Sequence, residues 1–127
     1  MNPNTKKLGQ KKELLCANEL KKRGWFIAFR STTVKRGPFW VGLDFGDCVD
    51  VVALTRRTEH CASVWKFVSC TFASHRSEKI AALTEFALEF GGICGHEFEV
   101  WVWHKGKWSG RGSNKHFEPA HWEVVVL

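Results

Sequence analysis

Two carboxylates are candidates for chemistry: Asp50, which stands where an apolar residue would cost less, and Glu13, at the edge of an apolar helix stripe. From about Thr5 to Arg23 the chain is rich in Lys, Leu, Glu and Ala and closes on Gly24, which predicts a helix with a glycine cap and a basic last turn. On that helix Glu13, Cys16, Ala17 and Leu20 fall at i, i+3, i+4 and i+7, so Glu13 sits at the edge of the apolar stripe. Asp50 interrupts the strand-like run Val49 to Leu54, and strict alternation sets it on the side of Val52 and Leu54. Two converging acids can hold Mg²⁺ or Mn²⁺, and such an ion polarises a phosphate and activates water. The chemistry implied is metal-assisted phosphodiester hydrolysis. The plainer reading makes each acid an ordinary polar group.

The elements that must position these acids follow from hydrophobic patterning. Trp25 to Arg30 reads as a strand apolar on both faces, and therefore covered. Val49 to Leu54 and Ser63 to about Phe72 are two more strands, joined by a polar turn as an antiparallel hairpin. Ser77 is the expected N-cap of a second helix, with Glu78 in its first turn and Ile80, Leu83, Ala87 and Phe90 at helical spacing before Gly91-Gly92. Phe98 to Trp103 and Trp122 to Leu127 complete the pattern as strands. The order is α-β-β-β-α-β-β, an α/β fold with a mixed β-sheet flanked by helices. A length of 127 residues suits a single domain, 1–127, carrying two long basic loops at 32–48 and 105–119.

Composition narrows the partners. The net charge of +6 is clustered: Lys6, Lys7, Lys11, Lys12, Lys21, Lys22 and Arg23 on the first helix, Lys35-Arg36 and Arg56-Arg57 at turns, and Lys105, Lys107, Arg111 and Lys115 in the second loop. Cationic loops around a compact core suit a polyanion, since each neutralised phosphate releases counterions. Five Cys, at 16, 48, 61, 70 and 94, are odd in number and form no C-x-x-C, which argues against a disulfide framework or a structural zinc site and for free thiols. No apolar run is long enough to span a membrane, and Met1 to Lys12 is polar and basic, so a cytoplasmic protein is expected. Seven Trp and ten Phe with no Tyr predict an aromatic core. For Phe39, Trp40 and Trp108 the readings are loop packing, or stacking on a base.

Residues Lys11 to about Trp103 resemble the PD-(D/E)XK, or restriction-endonuclease-like, superfamily, and within it the archaeal type of Holliday junction resolvase. The likeness rests on the lysine-rich helix with Glu13, on RGWFIAFRS at 23–31, on VDVVAL at 49–54, and on EKIAALTEFALEFGG at 78–92 before the strand with Trp101 and Trp103. It implies a restriction-endonuclease-like core and a Mg²⁺-dependent cut in branched or duplex DNA by a homodimer. The helix Glu, the strand Asp and an E-x-K on the next strand would make the metal site. Aligned by its apolar run, FVSCT at 67–71 gives Ser69 for the acid and Thr71 for the lysine. A shifted register gives Val64 and Lys66 instead. Asp44 or Asp47 could supply a carboxylate, and His60 or His75 a proton shuttle or metal ligand. The likeness also sets Arg30-Ser31 beside the metal, as a phosphate contact.

Three readings stand open, the third being an unrelated small α/β module in which Glu13 and Asp50 are incidental. In the first the chain is a DNA-binding, resolvase-like endonuclease with Glu13, Asp50, Ser69 and Thr71 at its centre, Mg²⁺ or Mn²⁺ as cofactor, and Lys11, Lys12, Arg30, Ser31, Lys35, Arg36, Lys105, Lys107, Arg111 and Lys115 on the nucleic acid. In the second it is a catalytically silent nuclease-fold protein that binds nucleic acid or a protein partner.

Overall fold

The computed structural model describes the backbone of residues 3–43, 48–55, 64–90 and 96–127, and the side chains of 11–32, 37–39, 48–55, 64–89 and 96–127. The first helix, α1, runs Pro3–Lys22. It stops where Gly24 takes φ 91°: the Gly24 N–H donates to the Lys21 carbonyl and the Trp25 N–H to the Leu20 carbonyl, both at 3.0 Å. Those two bonds satisfy carbonyls at the helix end, and they turn Trp25 back onto the cluster that contains Leu20.

Five strands form the main sheet: β1 (Phe26–Arg30), β4 (Val51–Leu54), β5 (Trp65–Phe72), β6 (Glu97–His104) and β9 (His121–Val126), in the spatial order β1-β4-β5-β6-β9. β4 pairs antiparallel with both β1 and β5. β5 and β6 are parallel, joined by the second helix, α2 (Arg76–Phe90). β6 and β9 are antiparallel. A parallel pair needs a long crossover, and the apolar spacing of 80–87 makes that crossover a helix.

Each helix covers one face of the sheet. Cys16 and Leu20 of α1 pack with Val51, Ala53, Val68, Cys70 and Trp101. Leu83 of α2 packs with Val49, Val52, Val100 and Val102. Alternate residues of β4, β5 and β6 thus belong to opposite layers.

Several expectations change. Both basic loops contain structure: 32–48 holds the hairpin of β2 (Thr32–Arg36) and β3 (Phe39–Leu43), and 105–119 holds that of β7 (Lys107–Ser109) and β8 (His116–Glu118). β1 is an edge strand rather than a covered one, and Phe26 is 60% exposed. Ser77 lies inside α2, because a 3-10 turn at Ala73–His75 carries the chain directly into the helix at Arg76. Among the described residues no helix is long and apolar enough to cross a membrane.

Leu20 and Leu83 are fully buried, one in each layer. Leu20→Ala and Leu83→Ala are each expected to lower the unfolding free energy by about 2–5 kcal/mol, read from urea denaturation midpoints at unchanged slope.

Candidate nucleic-acid interface

Asp50 sits on a bend just before β4, and its carboxylate takes over where the β4–β5 ladder ends. Its Oδ2 accepts a hydrogen bond from the buried Cys70 N–H at 2.7 Å, while its own N–H donates to the Val68 carbonyl at 2.9 Å and its carbonyl accepts from the Ser31 N–H at 2.6 Å. Strict alternation fails here. Val49 and Val52 both enter the α2 layer, so the bend falls between them and frees Asp50 from the face of Val52. Asp50 and Lys12 both act electrostatically on the Cys70 thiol, which lies in the α1 layer. Burial pushes that thiol well up from its ordinary value, with the Cys16 hydrogen bond and the Asp50 charge reinforcing the shift and Lys12 opposing it. Glu13 is half-buried at the end of the stripe Cys16, Ala17 and Leu20. Helix, strand end and acid therefore meet in one region.

The third strand does not bring Ser69 and Thr71 there. In register, Ser69 lies beside Val100 and Thr71 beside Val102, both in the α2 layer, whereas Val68 and Cys70 face α1. Strand alternation places Ser69 and Thr71 on the far side of the sheet from α1. Both are buried, and Ser69 Oγ has no hydrogen-bond partner. The β5 residues that flank Asp50 on the α1 side are Val68 and Cys70. Among the described residues, the α1 side of β5 beside Asp50 presents Val68 and Cys70, neither of which supplies the oxygen ligand that a hard cation takes. Among the described residues no group of three His, Cys, Asp or Glu side chains could hold a metal ion.

Lys66, the alternative lysine, faces the α1 side but is committed elsewhere. Its Nζ lies 3.0 Å from Glu99 Oε1, 3.2 Å from Glu97 Oε2 and 4.3 Å from the Trp25 ring centroid. Glu99 Oε1 also accepts from Trp101 Nε1 at 3.0 Å. This buried lysine has its charge matched within the sheet, at the end of β5 remote from Phe72.

A second group of charged side chains gathers at the other end of β5. Where β5 and β6 finish side by side, a cleft of about 530 Å³ opens, lined by Phe72, Ser74, His75, Trp103, His104, Lys105, Lys107, Glu118 and His121. Lys12 of α1 and Lys105 after β6 both reach the Phe72 ring, with Nζ atoms 5.0 and 5.7 Å from its centroid. Neither ammonium pairs with a carboxylate among the described residues. The cleft stands outside the carboxyl ends of a parallel strand pair, a usual place for ligands in open α/β sheets. Its wall is braced by Glu123, which accepts from Arg76 Nε at 3.2 Å and Nη2 at 3.1 Å and lies 3.0 Å from His104 Nε2. His104 in turn stacks on His121, with centroids 5.0 Å apart.

No family model, no curated protein and no solved structure matches this chain.

The expected contact residues divide by location. Lys12, Lys105 and Lys107 converge on the cleft, Arg111 and Lys115 lie on the adjoining β7–β8 arm, and Lys11 is exposed on α1. Arg30 is exposed at the end of β1, but Ser31 is buried and its N–H ties the chain to Asp50. His75 lines the cleft, 3.3 Å from Glu78 Oε2. The side chains of Lys35, Arg36 and Trp40, and residues Asp44, Asp47, Arg56, Arg57 and His60, lie outside the described residues. Phe72, Trp103, His104 and His121 were missed as cleft residues. The signal available was the pair of His-bearing strand ends, which become neighbours only through the His104–His121 register.

Ser69→Ala is expected to leave stability equal or higher by about 1 kcal/mol, since it removes an unpaired buried hydroxyl. Asp50→Ala is expected to cost about 1–3 kcal/mol and to speed exchange of the Cys70 amide hydrogen, while Asp50→Asn, which keeps an acceptor, should cost less. The hydrogen bonds from Arg76 and His104 hold the Glu123 carboxyl below its ordinary value of about 4.5. Its stabilisation is therefore present above that value and lost as pH falls through the lowered one; Glu123→Gln should remove this part of the acid dependence, seen in melting curves from pH 6 down to about 3.

Proposed function

We propose that this chain is a DNA-binding protein built on a nuclease-like α/β core, which holds nucleic acid at its cationic cleft and does not cut it. The observation that carries the reading is the convergence of Lys12 and Lys105 on Phe72, beside Lys107 and three histidines, at the carboxyl ends of β5 and β6. Ammonium groups gathered over an aromatic floor suit a phosphate backbone carrying planar bases. The net charge of +6 favours the same partner at longer range. The main-sheet order α-β-β-β-α-β-β, with β4–β5 antiparallel and β5–β6 parallel, supports the likeness to restriction-endonuclease-like proteins.

The reading of a silent centre rests on side-chain identity. Beside Asp50 the α1 side of β5 presents Val68 and Cys70, which add no oxygen ligand to the two acids Glu13 and Asp50. Glu13 and Asp50 then serve the fold, Asp50 by closing the β4–β5 ladder.

The test is a titration of blunt duplex, branched and single-stranded DNA at about 50 mM salt and above, with and without Mg²⁺ or Mn²⁺. Binding is expected to weaken with salt, and Lys12→Ala, Lys105→Ala and Lys107→Ala should each lower the logarithmic salt slope by about one where they meet a phosphate. No cleavage product is expected, and Glu13→Ala should bind as the parent does. Metal-dependent cutting abolished by both Glu13→Ala and Asp50→Ala would overturn the silent centre and restore the endonuclease reading. Failure to bind any DNA at about 50 mM salt would remove the DNA reading altogether and turn the search to a protein partner.

A further inference from the structure

The β7–β8 arm presents two large aromatic rings to solvent at the rim of the cleft. Trp108 is 64% exposed and Phe117 52% exposed. They are directly opposed across the hairpin, with ring centroids 5.4 Å apart at an interplanar angle of 55°. Two large apolar rings side by side in water form an apolar patch, where a partner that covers them gains free energy.

The arm is built to keep that shape. Gly110, at φ 87°, makes the turn, and a Cβ there would overlap the Asn114 carbonyl. Gly106 lets the tip of the Phe117 ring approach the backbone closely, since a Cβ at Gly106 would stand 2.6 Å from Phe117 Cζ. Across the strands Ser109 Oγ is 2.8 Å from His116 Nε2 and donates to Glu118 Oε1 at 3.2 Å, with Lys107 Nζ 3.7 Å from Glu118 Oε2. The Ser109 hydrogen bond, then the Lys107 and His116 charges, hold the Glu118 carboxyl below its ordinary value, so this brace stays ionised.

Charge decides what the rings meet. Lys115 Nζ stands 5.4 Å from the Trp108 centroid, Arg111 is exposed in the same turn, and Lys107 belongs to both the arm and the cleft. An apolar protein patch would not ask for such a cationic surround; a nucleobase attached to a phosphate would. Bases inside an intact duplex are already stacked, and separating a step is costly, whereas an unpaired base offers its face with little penalty.

Building on the DNA-binding reading, we infer that Trp108 and Phe117 form a stacking site for one unpaired nucleobase, while Lys105, Lys107 and Lys115 hold the adjoining phosphates. The arm thereby makes the protein prefer DNA with an unstacked base over an uninterrupted duplex.

The experiment compares a blunt duplex with the same duplex carrying a single unpaired 2-aminopurine. Wild-type protein should bind the bulged duplex roughly 10-fold more tightly and quench the 2-aminopurine fluorescence on binding. The double variant Trp108→Ala with Phe117→Ala, checked for fold by circular dichroism, should lose both the preference and the quenching while keeping its affinity for the blunt duplex. Trp108→Phe should retain most of both. Lys105→Ala should weaken both substrates by a similar factor, which separates the cleft from the arm. Equal wild-type affinity for the two duplexes, or a preference that survives in the double variant, would overturn the stacking site and leave the DNA-binding reading standing. Absence of binding to either duplex would overturn both.

Discussion

Strand β5 must satisfy two helices at once, and the rest of the structure follows from how its side chains divide. Val68 and Cys70 go to the α1 layer, where they meet Cys16 and Leu20; Phe67 goes to the α2 layer, near Phe86 and Phe98. A strand buried on both faces has little room for carboxylates, because each would carry a desolvation cost that only a cation or several donors could offset. The polar atoms it tolerates are hydroxyls, Ser69 and Thr71, together with one lysine matched by two glutamates. The same demand for burial that anchors the sheet thus limits the chemistry available at its centre.

Asp50 shows how a buried carboxylate can serve the backbone. The chain bends away before β4, so the Cys70 N–H would be left without a backbone acceptor in a buried place, and the carboxylate supplies one. The carboxyl ends of β5 and β6, the C-terminal side of the α2 crossover's strand pair, gather lysines, histidines and aromatic rings from four separate segments of the chain. There solvent is available, so charged side chains gather at less cost than inside the sheet.

The β7–β8 arm and the cleft share residues but differ physically. The cleft is recessed and charged; the arm is raised and aromatic, with its own cross-strand brace. Electrostatic attraction gives a polyanion no preferred position along its length, whereas ring stacking depends on an available base face. A protein that joins the two can separate holding from discrimination.

The amino-acid order determined the elements themselves. The 3.6-residue spacing of Cys16, Ala17 and Leu20, the apolar runs at 51–54 and 65–72, and the periodicity of Ile80, Leu83 and Ala87 are local signals, and helices and strands stand at those places. The mixed sheet flanked by helices was legible for the same reason. Tertiary pairing decided what periodicity cannot. The bend at Asp50 moved its carboxylate off the face that alternation predicts, and the β5–β6 register sent Ser69 and Thr71 away from Glu13's helix, since a shift of one residue exchanges the two sides of a strand. The meeting of Lys12 with Lys105 over Phe72 depends on residues far apart in sequence, and only the folded chain brings them within a few ångströms; the hairpins inside the two basic loops are local pairings, Arg36 with Phe39 and Ser109 with His116, that hydrophobic periodicity did not signal.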